Sequence, residues 1–152
     1  MKTTKIKRVL IAMDYDETSQ VVAELGFSMA KAMNAEIVLL HVISEQPVYY
    51  ASYTYMRELR VDFFEDLKKS TQEFLDKTKK HLGDESIKTI LKEGNIAATI
   101  LNTADEVKAD IIVIGSHSRK WLEDIIMGSE VEDVLRNTNL PLIIVPTKKH
   151  EE

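Results

Sequence analysis

The sequence predicts an α/β fold: an open, doubly wound, five-stranded parallel sheet with helices on both faces. Three observations carry that prediction. Short apolar runs alternate with longer segments of helical periodicity. Most of the runs are apolar at consecutive positions, as strands must be when helices cover both sides. Crossovers between parallel strands are right-handed, so a chain of such units winds into an open sheet.

The elements follow in order. Ile6 to Met13 is a near-continuous apolar strand. Thr18 to Met33 is helical, with Val21, Val22, Leu25, Met29, Ala32 and Met33 at helix-compatible spacing. Ile37 to Ile43 is a second strand, apolar on both faces, and His41 within it reads as a satisfied core histidine. Arg57 to Leu82 is a long amphipathic helix with Phe63, Phe64, Leu67, Phe74, Leu75 and Leu82 on one stripe. Ser86 to Leu91 alternates more weakly and belongs near a sheet edge. Ile96 to Val107 is a helix, Asp110 to Ile114 a fourth strand, Ser129 to Asn137 a helix and Pro141 to Pro146 a fifth strand.

The 152 residues suit one domain spanning 1–152, with a frayed tail from about residue 146. There is no cysteine, which excludes disulfides, thiolate catalysis and Cys-ligated metals. The net charge of −5 argues against a nucleic-acid partner held by bulk electrostatics. Val9 to Met13 is too short for a signal-peptide core, and no run approaches the ~20 apolar residues of a membrane span. The chain reads as cytoplasmic.

Ligands of doubly wound sheets bind at the carboxyl ends of the strands, at the switch point, which selects the loops after strands one and four. The second loop carries Gly115-Ser116-His117-Ser118, then nine residues, then Gly128-Ser129. A glycine lets backbone N–H groups approach an anion, and a helix N-terminus adds free donors and a positive dipole end. By pattern alone the commoner reading makes Gly115 a turn glycine at a strand end and Ser129, with Glu132 three residues later, a capping box. The spacing is neither a Walker A loop nor the Gly-x-Gly-x-x-Gly fingerprint.

Asp14 ends the first strand, where it can accept from a ribose or an adenine amine; alternatively Asp14 or Asp16 caps the helix near Thr18. Gly94 takes a positive φ or lies against a ligand, and Asn95 caps the following helix. No histidine pair has zinc-site spacing, and no base is placed beside a serine, so no catalytic or metal residue is named. Tyr49 to Tyr55 reads as an irregular loop or a docking surface, and Trp121 as packing.

Val9-Leu-Ile-Ala-Met-Asp14, Ile37-Val-Leu-Leu-His-Val42, Glu93-Gly94, Ala109 to His117, Met127-Gly-Ser129 and Asn139 to Pro146 together resemble a single-domain universal stress protein over nearly the whole chain. That resemblance implies strand order 3-2-1-4-5 and a stress-linked regulatory or sensing protein that binds ATP, with or without Mg²⁺. It places Gly115, Ser116, His117 and Ser118 at the ribose and phosphates, and Gly128, Ser129, Glu130 and Val131 around the phosphates. Asp14 and Val42 would border the adenosine, with Ala12 and Gly94 nearby. It further implies a homodimer paired through the last strand at Leu142, Ile143, Ile144 and Val145. Ser118 stands where the nucleotide-binding members have a second glycine, and Glu130 where they have a small apolar residue. A dimeric interaction protein that binds no nucleotide is the alternative, and a slow ATPase ranks below both.

Overall fold

The computed structural model describes residues 5–15, 17–44, 54–116 and 129–147, with side chains from residue 62 onward in the long second helix. The elements are β1 (Arg8–Ala12), α1 (Ser19–Ala32), β2 (Glu36–Ser44), α2 (Thr54–Leu82), β3 (Lys88–Gly94), α3 (Ile96–Glu106), β4 (Ile111–Gly115), α4 (Ser129–Asn137) and β5 (Leu142–Val145). The strands form one parallel sheet in the order β3-β2-β1-β4-β5. This is the predicted architecture, and it is the order the family resemblance implies.

Alternation along the strands divides the apolar residues between two cores. Val9, Ile11, Ile37, Leu39, Ile111 and Val113 face the layer that holds α1 and α2. Leu10, Ala12, Val38, Leu40, Val42, Ile112 and Ile114 face α3 and α4. β1, β2 and β4 are therefore buried on both faces, whereas the edge strand β3 is mostly half-exposed.

α1 departs from its expected apolar face. Val21 and Leu25 are 47% and 46% exposed, and the buried residues are Ser19, Val22, Ala23, Gly26 and Ala30. Small residues let the helix lie close to the sheet: a Cβ on Gly26 would sit 2.6 Å from Ile11 Cδ1. In α2 likewise Phe63 is 63% exposed, and Thr71, Leu75 and Thr78 are the buried residues among its described side chains. Thr71 and Thr78 satisfy their hydroxyls by donating to the carbonyls of Leu67 and Phe74, four residues back.

Charged groups fasten the amino ends of the strands. Asp110 Oδ2 accepts from the backbone N–H groups of Lys7 and Arg8 at 2.8 and 3.0 Å. Arg8 pairs with Glu36 at 2.6 Å and donates to the Val107 carbonyl. The carboxyl ends carry the candidate site.

Candidate functional site

A cleft opens where the chain leaves β1 and β4, the two strands that flank the switch point. It is lined by Ala12, Met13, Asp14, Leu40, Val42, Ile96, Ile100, Ile114, Gly115, Glu130 and Val131. Its floor is the upper end of the core under α3 and α4, since Ala12, Leu40, Val42, Ile100, Ile114 and Val131 all belong to that core. Two carboxylates, Asp14 and Glu130, reach it, and no lysine or arginine does among the described lining residues. The cavity volume is about 30 Å³.

The structure thus brings together Ala12, Asp14, Val42, Gly115, Glu130 and Val131 of the expected site. Met13, Leu40, Ile96, Ile100 and Ile114 join them without having been named from the sequence. Strand alternation contained the signal: Leu40 precedes Val42 by two, Ile114 shares the face of Ile112, and Ile96 and Ile100 are one helical turn apart. His117, Ser118 and Gly128 lie outside the described residues, as do Asp16, Tyr49 to Tyr53 and Trp121.

Three expected residues sit beside the cleft and not in its lining. Ser116 is buried against β5: its N–H donates to the Val145 carbonyl at 2.8 Å, and its Oγ accepts from the Thr147 N–H at 3.0 Å. Gly94 has φ +140°, where L side chains are strained, and a Cβ there would meet Thr99 Oγ1 at 2.9 Å. Its role is the turn from β3 into α3, which Asn95 caps by accepting from the Ala98 N–H at 2.9 Å. Ser129 is the first residue of α4 and exposed, and its Oγ donates to Glu130 Oε2 at 3.3 Å. Glu132, three residues on, pairs with Arg136 at 2.7 Å.

Gly115 lines the cleft through its backbone, and its other side is tightly packed. A Cβ would point away from the cleft toward α1, 3.1 Å from Val22 Cγ2 and 3.0 Å from Thr147 Cγ2. Helix α1 has Thr18 as its N-cap residue, with no side-chain cap hydrogen bond. Below Gly94, Lys68 pairs with Glu93 at 2.6 Å, and that hydrogen bond raises the lysine's pKa from its ordinary value. Among the described residues no group of three or more His, Cys, Asp or Glu can hold a metal ion. No helix there is long and apolar enough to cross a membrane.

The sequence profile of the universal stress protein family matches residues 5–146. The chain belongs to the universal stress protein family. Universal stress protein MJ0531 of Methanocaldococcus jannaschii is 32% identical over 151 residues, covering 95% of this chain and 85% of the relative. The structure of MJ0577, from the same organism, is 28% identical with a TM-score of 0.73, covering 97% of this chain and 100% of the other. The universal stress protein from Archaeoglobus fulgidus, solved in complex with dAMP, is 19% identical with a TM-score of 0.59, covering 93% and 99%. At that identity the Archaeoglobus protein shares the universal stress protein fold. Within this family member, the cleft combines an apolar floor, one carboxylate at the end of β1 and a second in the first turn of α4.

Proposed function

We propose that this universal stress protein binds an adenine nucleotide, ATP by preference, in the cleft between the ends of β1 and β4, and that it serves a stress-linked regulatory role in the cytoplasm. The observation that carries the reading is the composition of the cleft. An adenine face fits a floor of Leu40, Val42, Ile96, Ile100, Ile114 and Val131, and the Asp14 carboxylate can accept from ribose hydroxyls or the adenine amine. The N-terminus of α4 offers backbone donors to phosphate beside that floor. The dAMP complex of the Archaeoglobus relative agrees with the ligand class.

Glu130 constrains the form of the ligand. Its carboxylate occupies the helix end a phosphate would use, and like charges repel there. Mg²⁺ arriving with the nucleotide would bridge the two charges. Asp14 and Val42 would hold the adenosine, and Gly115, Glu130 and Val131 would border the phosphates, together with His117, Ser118 and Gly128 of the intervening segment. The protein is further proposed to pair with a second copy through β5, whose outer edge has no strand beside it among the described residues and whose Leu142, Ile143 and Ile144 are half-exposed.

The purified protein is expected to carry an adenine nucleotide by mass spectrometry or to gain melting temperature with Mg-ATP, and Asp14→Ala is expected to remove the gain. Neither signal in the unaltered protein defeats the proposal. Glu130 in the lining favours the second reading, a dimeric interaction protein that takes no nucleotide. That reading predicts that E130V creates ATP affinity absent from the parent.

A further inference from the structure

His41 is buried, 3% exposed, and is absent from the cleft lining although its neighbours Leu40 and Val42 are both in it. Alternation turns its ring to the opposite face of β2, the face of Leu39. There Nδ1 lies 2.6 Å from the carbonyl oxygen of Met13, the first residue past β1. A carbonyl only accepts, so Nδ1 carries the proton and donates. The Met13 N–H donates in turn to the Leu40 carbonyl at 2.8 Å. Met13 is therefore held at both polar ends by β2, once by backbone and once by a side chain.

The next residue but one is fixed differently. The Tyr15 ring stands 6.3 Å from the His41 ring, nearly edge-on, and 4.9 Å from the Phe74 ring of α2. Asp14 lies between these two anchored residues and is the one that reaches the cleft.

We propose that His41 is the positioning residue of the cleft: its Nδ1–H adds a side-chain rung beyond the last β1–β2 pair, sets the direction in which the chain leaves β1, and thereby places the Asp14 carboxylate at the ligand. It acts through Met13 and touches no ligand itself. The inference rests on the nucleotide reading for its consequence, and on the hydrogen bond alone for its cause.

The cause is tested without nucleotide. Long-range ¹H–¹⁵N spectra of the full chain are expected to show the His41 proton on Nδ1; a ring protonated only on Nε2 overturns the proposal. In H41N the amide nitrogen takes the place of Nδ1, whereas H41L fills similar volume with no donor. Hydrogen exchange at the Met13 amide is expected to quicken about tenfold in H41L and to stay within about threefold of the parent in H41N, the range a lost buried hydrogen bond supplies. Equal exchange in the two variants overturns the proposal. With adenosine as probe, H41L is expected to bind about tenfold more weakly than H41N; equal affinities overturn the positioning role. A parent that binds no adenosine defeats the nucleotide reading and leaves the tautomer and exchange results to decide His41.

Discussion

The two cores that share the sheet end differently at the carboxyl edge of the strands. Under α1 and α2 side chains cover the described end: Tyr15 lies against His41 and Phe74, and His41 is hydrogen-bonded to the Met13 carbonyl. Under α3 and α4 the end is left as a cleft, lined by Leu40, Val42, Ile100, Ile114 and Val131 with Asp14 and Glu130. Adjacent residues of one strand serve the two ends, Leu39 and His41 on the covered side, Leu40 and Val42 on the open one. Period-two alternation thus separates residues that hold the sheet from residues that line the cleft. Substitutions one position apart should therefore report on different properties.

The largest effect is expected on the covered side. Leu39→Ala removes a fully buried side chain and should cost about 2–5 kcal/mol in urea unfolding, while adenosine affinity measured well below the transition stays near that of the parent. A stability-neutral Leu39→Ala would break the distinction. Gly115→Ala sharpens it, because the added methyl points to Val22 and Thr147 and away from the cleft. It should cost about 1–3 kcal/mol of stability with affinity changed less than threefold. Abolished affinity with unchanged stability would return Gly115 to the role of a ligand-approach glycine.

Asn95→Ala should cost about 1 kcal/mol by removing the cap of α3, the helix that carries Ile96 and Ile100 into the cleft. The smallest effect lies away from both ends. Asp84 accepts from Lys31, 2.6 Å away, and from Ser86, and these hydrogen bonds hold its carboxyl at about 2 against an ordinary 3.8. A depressed folded-state pKa gives stability that is complete above 3.8 and lost as pH falls through about 2. Asp84→Asn should flatten that acid limb in a pH series of unfolding, modestly, because its partner Lys31 is half-exposed to solvent. An unchanged limb would deny the pair any contribution.

The sheet was legible because its strands are apolar at consecutive positions, and α4 because its bounds follow from Ser129 and Asn137. The core face of α1 was misread: bulk at Val21 and Leu25 suggested burial, whereas Ala23, Gly26 and Ala30 allow the close approach to Ile11. Side-chain size along a helix does not reveal how near the helix lies to its sheet. Asp14, Val42, Gly115, Glu130 and Val131 were found through family resemblance and the switch-point rule, and the structure places them around one cleft. The tight packing at Gly115 was not legible, because Val22 and Thr147, which crowd it, are remote in sequence. The Met13–His41 contact spans 28 residues and was hidden for the same reason.

The central claim is that the open end of the second core binds an adenine nucleotide. A backbone amide NMR titration of the full chain with Mg-ATP tests it most directly. The account predicts saturable shifts at Asp14, Val42, Gly115 and Val131, with Lys88 and Lys108 at the opposite edge of the sheet unmoved. No saturable shift at those four residues up to millimolar nucleotide, or shifts confined to the opposite edge, would contradict it.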